Sequence, residues 1–236
     1  MDKTQIPVTN LIKSFLMYQE DRNHSPKTVE WYDGMLGRFS RFLGAEATAG
    51  QLDIDVVRRY QRFLRGESLS KFTLHAYSRT LKTFLRWLGR EAYIDKNLWR
   101  EIEMPKVPRY EDVTLDVLND DEIRKLLDLL DPGTDVGCRE RGMVCLMLES
   151  GLRLDEVVKL RLEDVRLKEG YVKVRGKGDK EAYVPVGPTT KKALERYQEH
   201  FRVPRNAREH AFFLNIFGEA ISYSAVQSSF VRLAKR

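Results

Sequence analysis

The most informative segment of the sequence is Ser150-Gly151-Leu152-Arg153-Leu154-Asp155-Glu156-Val157-Val158-Lys159-Leu160. The apolar run before it has helical spacing, and Gly151 fits the end of that helix because glycine adopts positive φ at little cost. A second amphipathic segment begins directly afterwards. The stretch therefore predicts a tight junction between two helices, with Arg153 in the turn and its guanidinium free to meet an anion.

A second basic box, Gly176-Lys177-Gly178-Asp179-Lys180, lies between two runs that alternate as strands do, 171–175 and 181–186. It predicts the turn of a β-hairpin. Taken singly, each box has an ordinary alternative: a helix end with an exposed arginine, or a flexible turn with a solvated lysine. A nucleotide-binding P-loop is excluded, because the glycine spacing is wrong and no Ser or Thr follows Lys177.

The composition indicates a globular protein with one large domain or two ordinary ones. The chain has 236 residues, of which 42% are hydrophobic and 32% charged, and its formal net charge is +6. The positive excess is spread over both halves. It permits a polyanionic partner but does not by itself demonstrate one.

Targeting signals and metal motifs are not apparent in the sequence. No run approaches the roughly 18 to 20 apolar residues of a membrane span, and the N-terminus lacks the features of a signal peptide. Cys138 and Cys145 are too far apart along one helix for a disulfide, so we interpret them as buried thiols of a cytoplasmic protein. The scattered histidines predict no zinc site, and we expect neither a metal nor another cofactor.

Residues 1–104 predict a helical bundle. Helices are expected over 8–21, from Ser25-Pro26 to Gly44, after Asp53, and from Ser70 to Gly89. The second and fourth echo each other, since one motif recurs in both: Ser25, Thr28, Tyr32, Leu36, Phe39, Leu43 and Gly44 match Ser70, Thr73, Tyr77, Leu81, Phe84, Leu88 and Gly89. Two similar helical hairpins are the simplest interpretation.

Two basic stripes follow helical spacing in this half. They are Arg58, Arg62 and Arg65, and Arg79, Lys82, Arg86 and Arg90. Each stripe alone is typical of a solvated outer face. Together on one small bundle, they predict a surface that follows phosphates, while the Tyr and Phe residues at helical spacing are interpreted as core.

Prolines at 105 and 108 predict an extended linker over 105–112, which separates 1–104 from 113–236. In the second region, helices are predicted to begin at Asn119, to cover about 136–149 and 154–161, and to begin at Thr189 or Thr190. The two strands of the hairpin and a strand at Phe212-Phe213-Leu214 are also predicted. A last helix is predicted from Ser222 or Ser224. The predicted fold class is mainly α with a small β-hairpin or sheet, that is, α+β.

Together, the two boxes resemble the tyrosine recombinase (phage integrase) family in its Xer-like branch. The residues that carry the resemblance are Ser150-Gly151-Leu152-Arg153, Glu156, Leu160, Asp164-Val165, Gly176 to Glu181, and Val184-Pro185-Val186. The helical first half resembles that family's core-binding (SAM-like) domain, and 113–236 resembles the N-terminal part of its catalytic domain. The resemblance covers nearly the whole chain from about residue 8.

The resemblance implies DNA breakage and rejoining through a 3′-phosphotyrosyl intermediate. Arg153 matches the first catalytic arginine, which clamps the scissile phosphate. Such a phosphate gains negative charge in the transition state, which suits a planar, permanently charged fork. Lys177 matches the hairpin lysine that protonates the leaving 5′ oxygen. Glu156 is expected to support Arg153 or cap its helix, and Lys180 to contact DNA.

The family also needs a His-x-x-Arg box and a tyrosine nucleophile, and neither is found here. Lys27, Ser78, Val203 and Phe213 stand three residues after the four histidines, and Ala182 stands where relatives usually carry arginine. We therefore expect an incomplete catalytic domain that binds DNA but does not cleave it. Apolar surface is expected to stay uncovered around Phe212, Phe213, Ile216, Phe217 and Phe230.

The leading interpretation is a site-specific recombinase or integrase that acts on double-stranded DNA. The resemblance adds self-association on DNA as a dimer or tetramer for the full-length protein. The lack of an apolar span and of a P-loop predicts no membrane and no nucleotide partner. The alternative is a natural, catalytically inactive DNA-binding regulator of recombination sites. A third interpretation, a basic helical adaptor in which the boxes arise by chance, predicts no salt-dependent affinity for duplex DNA.

Overall fold

The computed structural model describes residues 2–108, 117–176 and 181–235. The chain divides into two compact units, Met1–Leu115 and Asp116–Arg236. The predicted linker, 105–112, lies just before this division, and its residues 109–112 fall outside the described residues. No helix in the described part of the chain is long and apolar enough to cross a membrane.

Unit 1 is a helical bundle, as the sequence predicts. Its helices are α1 (Val8–Asp21), α2 (Pro26–Leu43), α3 (Ile54–Arg65) and α4 (Lys71–Arg90), followed by a short 3-10 turn (Leu98–Glu101). The repeated motif acts at the helix starts, where Ser25 and Ser70 accept hydrogen bonds from the backbone N–H groups of Thr28 and Thr73.

Helix α4 continues one residue past its predicted end at Gly89. This glycine serves close packing instead of ending the helix, because a Cβ there would lie 2.8 Å from Cα of Lys96. The core of the unit is aromatic and aliphatic. Its largest fully buried side chains include Phe15, Phe39, Tyr60 and Phe84.

Unit 2 combines helices with a small antiparallel sheet. Its helices are α5 (Asp120–Asp128), α6 (Asp135–Ser150), α7 (Leu154–Val158), α8 (Pro188–Arg196) and α9 (Tyr223–Leu233), and its strands are β1 (Val165–Arg166), β2 (Tyr171–Arg175) and β3 (Glu181–Pro185). The described strands are ordered β1-β2-β3, with Val172 opposite both Val165 and Val184. The α+β prediction is confirmed.

Two boundary predictions in unit 2 were wrong, and one strand was not predicted. Helix α7 ends at Val158 instead of near 161, because Arg161 forms a bridge with Ala211. Helix α8 starts at Pro188, a favourable first helical residue, and not at Thr189 or Thr190. The two-residue strand β1 was not predicted, because so short a strand has no periodicity to recognise.

The predicted strand at Phe212–Leu214 is absent from the described residues, and the segment instead forms isolated bridges, one at the preceding Ala211 and one at Leu214. The prediction of an uncovered apolar patch around these residues was also mostly wrong. Phe212 and Phe213 are fully buried and pack against the ring of Tyr197. Phe230 is partly buried, and only Ile216 and Phe217 of that set are largely exposed, each at 69%.

Cys138 and Cys145 are buried, unpaired thiols on α6, as predicted. Burial raises the pKa of both thiols above the ordinary value, because a thiolate loses its hydration there.

Candidate functional site

The junction that carries Arg153 forms as its sequence predicts. Helix α6 ends at Ser150, and Gly151 adopts φ 65°, with its N–H donating to the carbonyl of Met147 at 2.9 Å. This left-handed residue turns the chain at the end of α6. Arg153 then occupies the N-cap position of α7 in extended conformation.

Glu156 holds Arg153 at two points. Its Oε2 accepts a hydrogen bond from the backbone N–H of Arg153 at 2.8 Å, and its Oε1 pairs with Nη1 at 3.2 Å. The arginine side chain is 83% exposed and that of Glu156 only 13%. One acid thus orders the turn and leaves most of the guanidinium edge open to an incoming anion.

The Arg153 turn and the sheet rest on one hydrophobic core. Val157 of α7 is fully buried in the same cluster as Val172 and Val174 of β2. The turn and the strand are therefore held by shared packing. Lys177 and Lys180, the predicted cations of the hairpin, lie outside the described residues.

The charges on β2 and β3 close to the hairpin turn are largely compensated by opposite charges. Glu181 opens β3 and lies 3.3 Å from Nζ of Lys173 and 3.5 Å from the guanidinium of Arg175. Asp164 lies 3.8 Å from the same lysine nitrogen. Lys173 and Arg175 therefore have acidic partners within the sheet.

In unit 1, the cations of the α4 stripe lie over aromatic rings. Cζ of Arg79 is 5.5 Å from the ring centroid of Trp31, whereas Nζ of Lys82 and Cζ of Arg86 are each 5.4 Å from that of Trp99. Within the described ranges, none of these three cations has an ion-pair partner. Their charge is positioned by aromatic faces and not neutralised by carboxylates.

Arg90, at the end of the stripe, differs in having an acidic neighbour. It lies 4.8 Å from the ring centroid of Tyr18, donates to the phenolic oxygen at 2.9 Å, and pairs with Glu91 at 3.0 Å. The hydrogen bond from Arg90 lowers the pKa of Tyr18.

A depression made of two adjoining cavities lies beside Arg79, Arg86 and Arg90. Two cavities of about 550 and 580 Å³ share Tyr32 and Thr83 as lining residues. Arg79 lines the first cavity, and Arg86 and Arg90 line the second. The depression therefore offers cations and aromatic rings along most of α4.

The α3 stripe (Arg58, Arg62 and Arg65) has a different environment, which its sequence does not predict. Arg65 pairs with Glu103 at 2.8 Å and Arg58 with Glu101 at 3.8 Å. Nε2 of the buried Gln61 donates to the carbonyl of Glu103 at 2.7 Å. This helix therefore holds the segment that leads into the linker.

The aromatic partners of α4 and the acidic partners of α3 were not predicted from the sequence. The cation–aromatic pairs join α4 to Trp31 of α2 and to Trp99 of the 3-10 turn, and the ion pairs join α3 to a segment far along the chain. Helical spacing reveals only neighbours on one helix, so it carried no signal for either set.

Two family models match the chain along most of its length. The model described as "Phage integrase family" matches residues 116–236, and that described as "Phage integrase SAM-like domain" matches residues 8–104.

Curated relatives are similar over nearly the whole chain. Tyrosine recombinase XerC of Oceanobacillus iheyensis is 30% identical over 236 residues, covering 95% of this chain and 75% of the relative. Tyrosine recombinase XerD of Listeria innocua is 29% identical over 228 residues, covering 91% and 74%. The fold is similar to that in a crystal structure of a lambda integrase tetramer bound to a Holliday junction, with a TM-score of 0.77, 17% identity, and coverage of 98% of this chain and 66% of that one.

Proposed function

Because the chain belongs to the Phage integrase family of tyrosine recombinases, we propose that it binds double-stranded DNA and serves site-specific recombination. The observation that carries this proposal is the exposed guanidinium of Arg153, held at a helix junction by Glu156. DNA is also the partner of the similar lambda integrase, whose structure is described as bound to a Holliday junction.

Arg153 is assigned to the non-bridging oxygens of the phosphate at the strand-exchange site. A phosphoryl group gains negative charge on these oxygens as a nucleophile attacks, and a guanidinium presents two parallel donors to them. Arginine remains charged throughout the physiological pH range. Glu156 acts as the positioning residue that keeps the fork directed outward.

Lys177 and Lys180 are assigned to the same phosphate and its neighbours. Lys177 would give its proton to the 5′ oxygen as that oxygen leaves phosphorus, a role suited to a cation whose pKa falls near other positive charge. Lys180 would contact the backbone. Both roles rest on the sequence match alone.

The α4 stripe is assigned to the DNA backbone, and the α3 stripe is not. Arg79 and Arg86 line the depression, and these two residues and Lys82 carry charge that no described carboxylate balances. Arg58 and Arg65 instead face Glu101 and Glu103. At Arg58 and Arg65 phosphate oxygens would have to compete with carboxylates, which leaves Arg62 as the one residue of the α3 stripe without an ion pair in the described part of the chain. The α4 stripe therefore gives the larger release of counterions.

These 236 residues are proposed to bind DNA without forming the 3′-phosphotyrosyl bond by themselves, since none of their histidines begins a His-x-x-Arg box. The same observation favours a second candidate, a DNA-binding regulator that occupies recombination sites. With either function, we propose that the protein acts in the cytoplasm, where the chromosome is. If it is a recombinase, we expect it to self-associate on DNA.

Two assays test the proposal. In a duplex titration, Arg153→Ala is expected to weaken binding and to reduce the salt slope by about one. The matched control is Arg124→Ala, another largely exposed arginine with an acidic partner three residues away, which is expected to leave the slope unchanged. Equal slopes for all three proteins would remove Arg153 from the DNA site.

The second assay is incubation of the 236-residue chain with nicked duplex, followed by denaturation. A non-covalent complex and no denaturation-resistant adduct is the expected result. An adduct would show that these residues contain a nucleophile after all, and would exclude the inactive regulator.

A further inference from the structure

We propose that Trp31 and Trp99 are positioning residues for DNA binding, which hold the α4 cations where they meet the phosphate backbone. This inference rests on the proposed function, because it assumes that Arg79, Lys82 and Arg86 contact DNA. It adds two aromatic residues that would act through these cations and not through the bases.

Each tryptophan belongs to a different element, and each lies against cations of α4. Trp31 of α2 lies under Arg79, at 5.5 Å from Cζ. Trp99 of the 3-10 turn lies 5.4 Å from both Lys82 and Arg86. Residues spaced i and i+4 share a helix face, so one ring reaches both.

The rings replace the acids that usually order long basic side chains. A free lysine or arginine loses rotamer freedom when it binds a phosphate, which weakens binding. A guanidinium stacked on a ring has already lost part of that freedom, and its N–H edge stays open. A carboxylate would order the side chain equally well but would cancel its charge, as on α3.

The surroundings of Trp31 support a role beyond core packing. Among the contacts of the described residues, its ring meets Tyr32 at 5.2 Å edge-on and Arg79. It is half-buried and lines the depression, whereas Trp99 also packs against the bundle core. Substitution of Trp31 therefore gives the cleaner test. Substitution of Trp99 is expected to have the stronger effect on DNA affinity, because its ring contacts two cations of α4.

The test measures duplex affinity and its salt slope for Trp31→Leu, Trp99→Leu and the matching Phe variants. Each Leu variant is expected to weaken binding by about two- to fivefold per cation released, while the slope stays the same because no charge is lost. The Phe variants keep an aromatic face and are expected to restore most of the affinity. Unfolding curves show which variants remain folded.

The control is Phe63→Leu. Phe63 is a 39% exposed ring with Arg38 at 5.6 Å, but this arginine has a carboxylate partner, Glu67. The affinity of the Phe63→Leu variant for duplex DNA is expected to equal that of the parent.

The outcomes separate the inference from the function on which it rests. Unchanged or tighter binding by folded Leu variants, together with a reduced slope for Arg79→Ala and Arg86→Ala, overturns the positioning role and leaves DNA binding by α4 intact. An unchanged slope in the two alanine variants overturns the assignment of α4 to DNA, and the inference fails with it.

Discussion

Glu156 binds Arg153 through both carboxylate oxygens, one on the backbone N–H at 2.8 Å and one on the guanidinium at 3.2 Å. The first contact closes the start of α7, and the second directs the side chain. Because the acid is mostly buried and the arginine mostly exposed, the pair combines a structural anchor with a free charge.

Glu156→Ala is expected to destabilise unit 2 by about 1 kcal/mol, because the backbone N–H of Arg153, the N-cap residue of α7, loses its side-chain acceptor. Glu156→Gln retains an acceptor oxygen and is expected to lose about half as much. Urea unfolding measures both. Glu195→Ala, which removes only a surface pair with Lys191 at 3.7 Å, is the control. Equal stability of the Ala variant and the parent would contradict the anchoring role.

Charge-matched double variants distinguish the two basic stripes. Arg79→Ala with Arg86→Ala is expected to reduce the salt slope of duplex binding by about 1.8, since each phosphate contact contributes about 0.9. Arg58→Ala with Arg65→Ala removes the same charge, but these arginines already face acids. That variant is expected to change the slope little. A larger loss from the α3 pair would reverse the assignment.

Two buried tyrosines predict opposite results for the same substitution. The hydroxyl of Tyr60 has no hydrogen-bond partner within the described residues, whereas the hydroxyl of Tyr197 accepts from the backbone N–H of Leu214 at 2.9 Å. Tyr60→Phe is therefore expected to keep or raise the unfolding midpoint. Tyr197→Phe is expected to cost about 1–3 kcal/mol, because a buried donor loses its partner. A clear loss of stability in Tyr60→Phe would count against this account of the core.

The buried thiols predict that stability falls as pH rises. An unfolded thiol has a pKa of about 8.5, and burial raises the pKas of Cys138 and Cys145 above their ordinary value. Above about pH 8 the unfolded state therefore binds fewer protons than the folded state, and stability is lost with rising pH. Urea midpoints at about pH 7 and about pH 9.5 test this.

The control for the thiols is the double variant Cys138→Ala with Cys145→Ala, which is expected to show a shallower decline. The buried tyrosines, whose pKas are also raised by burial, contribute in the same direction at higher pH. A midpoint that rises between the two pH values would contradict the prediction.

Local chemistry explains which parts of the fold the sequence predicts. Ser25, Ser70 and Gly151 act on backbone groups within a few residues, so their caps and turns could be read directly. The secondary structure of the apolar run at Phe212 was ambiguous, because a short buried strand and an irregular core segment have similar apolar sequences. Its contact with Tyr197 decides the outcome.

The candidate site was only partly predictable for the same reason. The arginine box and its acid lie within one turn of sequence, and Glu156 indeed contacts Arg153. Trp31 and Glu103 affect basic stripes on other helices. Neither pairing leaves a pattern in the sequence, since only the packing of the bundle brings these residues together.

Contact of Arg79, Lys82 and Arg86 with DNA phosphates is tested most directly by the salt dependence of binding to duplex DNA. Equilibrium affinity of the 236-residue chain would be measured from about 50 to about 200 mM salt. If Arg79, Lys82 and Arg86 meet phosphates, log K falls linearly with log salt at a slope of about −3 or steeper. A slope near zero, or no affinity at the lowest salt concentration, would contradict DNA binding by these three residues of α4.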